Sequence, residues 1–152
     1  MMKMINRSAV LGVALACIFL SAGPLQAAEY AVVIQASNTY SDNPESMKQV
    51  VKQLFLKQRS EWPNKIAAKP FARPADNAAH QAFLKHVVQM SEVELAGHWI
   101  SVKQRTGQAA PREIARDSLL FKLIAKYDGA LAVVVKESVQ SDQIRILFTF
   151  TD

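Results

Sequence analysis

Cysteine is almost absent from this 152-residue chain. The single one, Cys17, lies in an apolar front end, so the rest offers no disulfide framework, thiolate metal site or cysteine nucleophile. Histidine is nearly as scarce. His80, His86 and His98 stand six and then twelve residues apart, which does not put two on one helical turn as an H-E-x-x-H metal site requires. They read as exposed or partly buried helix histidines, and no metal or cofactor is expected. The glycine-framed motifs of chemistry are missing too: there is no G-x-S-x-G, P-loop or G-x-G-x-x-G. Glu92 and Glu94 are two apart on a predicted helix and do not face each other. The reading is non-enzymatic.

Long hydrophobic runs are also lacking. Ala9 to Leu20 is about half of the roughly 20 apolar residues that a membrane-spanning helix needs, and Ser21, Gly23 and Pro24 break it. Lys3 and Arg7 precede the run and Leu25-Gln26-Ala27 follows it, which is the order of parts in a cleavable export signal. Residues 1–27 are therefore expected to be a signal peptide, cut after Ala27 or Ala28, and the mature protein to be periplasmic with no stable membrane anchor. Ala14-Leu15-Ala16-Cys17 faintly resembles a lipobox, which leaves lipidation at Cys17 as the alternative.

Residues 28–152 have the length of one domain. Without Lys3 and Arg7 there are 16 basic residues against 13 acidic, a net charge of about +3, too small to imply nucleic acid. Tyr30 to Gln35 and Ala130 to Val135 are short, apolar and β-branched, as strands covered on both faces are. Asn43-Pro44 starts a helix whose Met47, Val50, Val51, Leu54 and Phe55 form one stripe. A weaker strand is expected over Ile66 to Phe71. Helix two, Ala78 to Met90, is capped by Asp76 or Asn77, and helix three follows the capping box of Ser91 and Glu94. After the turn at Gly107, Arg112 to Ala115 reads as a short strand or an extended connection. A fourth helix is capped by Asp117 or Ser118 and stopped by Asp128-Gly129, with the glycine in a left-handed cap. Ile144, Ile146, Phe148 and Phe150 alternate with polar or outward residues in a terminal, edge-like strand. The fold class is α/β, a mixed β-sheet flanked by helices.

One segment carries chemistry of interest. Arg73 lies just before the start of helix two, where free backbone N–H groups and the helix dipole favour an anion. The plainer reading is an N-cap at Asp76 or Asn77, with Arg73 a solvated or ion-paired loop residue.

From Val32 to about Val135 the order of motifs resembles the phosphate-type periplasmic solute-binding proteins of ABC transporters, most of all their short, single-lobe relatives. Leu54-Phe55-Leu56-Lys57-Gln58-Arg59-Ser60-Glu61-Trp62-Pro63 looks like the family's "IFLGK...W" signature. Lys69-Pro70-Phe71-Ala72-Arg73, Glu94-Leu95-Ala96-Gly97-His98-Trp99 and Ala110-Pro111-Arg112-Glu113-Ile114 follow in order, and Asp128 to Val134 is similar to the "PGAIGYV" strand. The resemblance implies a single lobe of a type 2 periplasmic-binding-protein-like fold. It also implies a small oxyanion such as phosphate held by Arg73 and the helix start at Asn77, Ala78 and Ala79. Where the family has Ser-Gly-Thr, this chain has Asn77-Ala78-Ala79, so two hydroxyl donors are missing and any binding is expected to be weak. The alternative is an envelope protein-interaction module of the same fold that has lost its ligand, presenting Trp62 and the basic face of Lys48, Lys52, Lys57 and Arg59 to a partner.

Overall fold

The computed structural model describes residues 26–152. Cys17 and all but the last two residues of the expected export signal lie outside the described residues. Strand β1 (Glu29–Gln35) is apolar on both sides because both sides are covered: Tyr30 to Ile34 are all buried. It pairs antiparallel with β4 (Ala130–Val135) and with β5 (Ile144–Thr151), while β2 (Lys69–Ala72) runs parallel to β4 and carries β3 (Arg112–Glu113) at its outer side. The order β3-β2-β4-β1-β5 makes a mixed sheet of five strands.

Alternation along the two central strands divides the core. Tyr30, Val32 and Ile34 join Leu131 and Val133 beneath α1 (Pro44–Phe55), α2 (Ala78–Phe83) and α3 (Glu92–Thr106). Ala31, Val33, Ala130, Ala132 and Val134 face the other way, onto Leu120 and Ile124 of α4 (Asp117–Lys126). Three helices thus cover one face and one covers the other, an α/β arrangement in three layers.

The helices begin and end for local reasons. Asn43 caps α1 by accepting from the Ser46 amide, with Pro44 in the first turn, and Asn77 caps α2 by accepting from the His80 amide at 3.2 Å. Helix α2 runs on into one π turn, Leu84–Val88, and stops at Gln89 in the left-handed region, φ 59°. Ser91 and Glu94 form the expected capping box, and Gly107 ends α3 with φ 71°. Helix α4 departs from expectation: Arg116 occupies the cap position without a side-chain hydrogen bond, and Asp117, in the first turn, pairs with Arg73 instead.

Gly129 takes no left-handed cap, since Gly107 is the glycine at positive φ among the described residues. Its requirement is space. A Cβ there would sit 1.7 Å from the Ala67 carbonyl oxygen, and its own carbonyl accepts from the buried Trp62 indole at 3.0 Å and from the Lys69 amide at 2.9 Å. This junction also moves the second strand. Ala67 is held in an isolated bridge to Glu61, so pairing with β4 begins at Lys69 and not at Ile66.

Strand β5 is an edge, as its pattern suggests, but its alternation is interrupted. Val32 faces Phe148 and Val33 faces Ile146, so Leu147 is the extra residue of a bulge. Ile144 and Ile146 consequently pack on the α4 side, and Leu147, Phe148 and Phe150 on the opposite side.

Candidate functional site

Strands β2 and β3 run parallel with Phe71 opposite Arg112 and Ala72 opposite Glu113. Because successive side chains point to opposite faces, this short ribbon separates two hollows. On the side of α1 to α3, a cavity of about 210 Å³ is walled by Phe55, Leu95 and Trp99 and receives Arg73, His80, Glu92 and Glu113.

Arg73 leaves the end of β2 directly into this cavity. It is 5% exposed, and one of its terminal nitrogens is paired with Asp117. Its Nε and Nη1 have no protein acceptor. A buried guanidinium with two free donors is poorly satisfied and is a ready partner for an anion. The acidic first turn of α4 supplies one counter-charge, which also suits the positive end of that helix.

Of the other sequence-flagged positions, Asn77 is spent on its own helix cap, Ala78 is exposed, and Ala79 is 2% exposed in the core beneath α2. None of the three side chains lines the cavity. With His80 N–H taken by Asn77, the amides of Ala78 and Ala79 have no acceptor within the helix, but neither residue reaches the cavity lining.

His80, expected as an exposed or partly buried helix histidine, is instead buried in the cavity lining. It is 4% exposed, and its Nε2 lies 2.6 Å from Glu92 Oε1, while Nδ1 has no protein hydrogen-bond partner. The signal for it was its place at the third helical position, on the same face as the buried Ala79 and Phe83. His86 and His98 have structural partners, the Asp152 carboxylate at 3.0 Å and the Leu56 carbonyl at 2.9 Å. No group of three metal-ligating side chains occurs among the described residues.

A larger, shallow hollow of about 450 Å³ lies between α2 and the start of α3, but the Ser91 and Glu94 groups in its wall already satisfy each other. No helix of the described residues is long and apolar enough to cross a membrane.

The mixed sheet with helices on both faces is an α/β fold shared with solved substrate-binding proteins. Two of the solved structures that share it illustrate the likeness. A phosphate ABC transporter substrate-binding protein from Clostridium perfringens, with bound phosphate, matches with a TM-score of 0.59 at 13% identity over 79% of this chain. An ABC-type phosphate transport receptor from Vibrio cholerae matches with a TM-score of 0.57 at 11% identity, also over 79%. The match takes in 45% and 47% of those two chains, so this protein spans about half of each. No protein-family model matches the chain, and no curated protein matches it by sequence.

Proposed function

We propose that this chain is a periplasmic, non-enzymatic solute-binding-like domain associated with ABC-type transport. In this reading it holds a small oxyanion, phosphate or a relative of it, weakly at Arg73 and the start of α2. The observation that carries the reading is Arg73 itself, buried in a cavity wall with two N–H donors unanswered by protein. Three features argue for weakness. The side chains at 78 and 79 have no hydroxyl, Asp117 already shares the guanidinium, and Glu92 and Glu113 stand in the same lining. The fold supports the class, since the two solved structures compared above are described as phosphate transport proteins.

The test is titration of the purified protein with phosphate, sulfate and molybdate, followed by heat and by tryptophan fluorescence, because Trp99 borders the cavity. Losing one charge-assisted contact weakens binding about tenfold to a hundredfold, and Arg73→Gln should show that loss. Silence for every oxyanion at millimolar concentration would sink the oxyanion reading.

A second reading, an envelope protein-interaction module of the same fold, cannot use Trp62 as expected, because Trp62 is 1% exposed, but it has one observation of its own. Val93 and Ile100 are 82% and 60% exposed, two turns apart on α3, an apolar outer face unusual for a surface helix.

A further inference from the structure

The hollow on the other side of the β2–β3 ribbon has the opposite character. Lys69 and Phe71 share the α4-facing side of β2, and Arg112 stands opposite Phe71 on β3. With Lys57, just beyond α1, they line a cleft of about 290 Å³ together with Pro111 and Tyr127; Pro111 borders the Arg73 cavity too, and no carboxylate enters this lining. Lys69 Nζ sits 3.6 Å from the centre of the Tyr127 ring and Lys126 Nζ 5.3 Å from it. Among the described residues, none of Lys57, Lys69, Arg112 and Lys126 has a carboxylate within ion-pair distance. Lys57 instead donates to the Ala109 carbonyl at 2.7 Å, which holds it at the cleft wall. A neighbouring hollow of about 230 Å³ shares Lys57 and extends the positive surface to Arg59.

We infer that this cleft is a second anion site, distinct from the Arg73 cavity, which takes a phosphate ester: phosphate oxygens between Lys57, Lys69 and Arg112, and an apolar or ring-bearing substituent against Tyr127 and Pro111. Gathering like charges around one hollow without a counter-ion raises the energy of the empty site, and a bound anion relieves it. The volume is at the lower end of small-molecule pockets, which suits a monoester or a single headgroup and is too small for a dinucleotide. The same charges act on the Tyr127 phenol, whose pKa is lowered by Lys126 first and by Lys69 second. Arginine offers two-pronged contact to phosphate and the lysines act as point charges.

The phosphate ester could be soluble or the headgroup of an anionic lipid, and the experiment has an arm for each. Full-length protein, expressed and processed in its own way, is titrated with phenyl phosphate and, separately, sedimented with phosphatidylglycerol vesicles at low and high salt. Lys69, Arg112 and Lys57 are exposed, so Lys69→Gln and Arg112→Gln leave the buried core intact. Binding in either arm that falls at least tenfold in the double variant, falls with salt and persists in Arg73→Gln supports the site and identifies the source. Absence of binding in both arms overturns it. So does binding that survives the double variant or that disappears in Arg73→Gln, the latter assigning the anion to the other cavity.

Discussion

A methyl group on Gly129 would meet the Ala67 carbonyl oxygen at 1.7 Å and its carbon at 2.8 Å, both backbone atoms tied into the β2–β4 junction. Gly97, inside α3, would meet nothing within 4 Å. The same substitution should therefore have opposite signs at the two sites. Gly129→Ala is expected to destabilise by about 3 kcal/mol through overpacking. Gly97→Ala should stabilise by roughly 0.5–1 kcal/mol by removing backbone entropy from a helix. Urea unfolding of the two variants beside the parent protein measures both, and equal shifts of one sign would refute the argument. Arg73 shows the same dependence on place. Its position before a helix was legible, but its burial and its pairing with Asp117, 44 residues away, arise from β2 and α4 meeting in space.

Helix starts differ in how much of their stability is local. At α3, Ser91 Oγ accepts from the Glu94 amide and Glu94 reaches back to the Ser91 amide at 2.7 Å, which also holds the Glu94 carboxyl below its ordinary range. Ser91→Ala should lose about 1 kcal/mol of stability. At α4 the expected caps are not used, and Ser118→Ala should fall within about 0.5 kcal/mol of the parent. Thermal melts of the two alanine variants check the contrast. The elements themselves were readable because each rests on residues three or four apart. Strand β5 was readable in place and not in facing: strict alternation would send Ile144 and Phe148 to one side, and the bulge at Leu147 sends them to opposite sides. A bulge depends on what the neighbouring strand must bury, which no local pattern records.

Across the whole molecule, charge ties down the ends of the central strands β1 and β4 and the end of the edge strand β5. Lys136 hydrogen-bonds Glu29 at 2.7 Å, and Lys85 and His86 hold Asp152 at 2.6 and 3.0 Å. Each carboxyl is lowered below its ordinary range, Glu29 chiefly by the hydrogen bond from Lys136 and Asp152 chiefly by that from Lys85. A carboxyl lowered on folding adds stability that is present above its unfolded value and lost as pH falls through the folded one. The melting temperature should accordingly be insensitive to these groups at neutral pH and decline below about pH 4. Lys136→Met should make the decline shallower, and a melting temperature that rises on acidification would contradict the linkage.

The sequence by itself determined the layers. Two doubly apolar runs demand cover on both faces, four amphipathic stretches supply it, and the mixed α/β class follows from burial alone. It also marked Arg73 as the residue to watch. Only the tertiary structure decided what surrounds that residue. The parallel pairing of β2 with β3 turns Glu113 toward Arg73 and Arg112 away from it, so one ribbon makes an acidic-walled cavity on one side and a basic cleft on the other. The physical reason is that periodicity assigns side chains to faces within an element, whereas charge at a site is summed over elements distant in the chain.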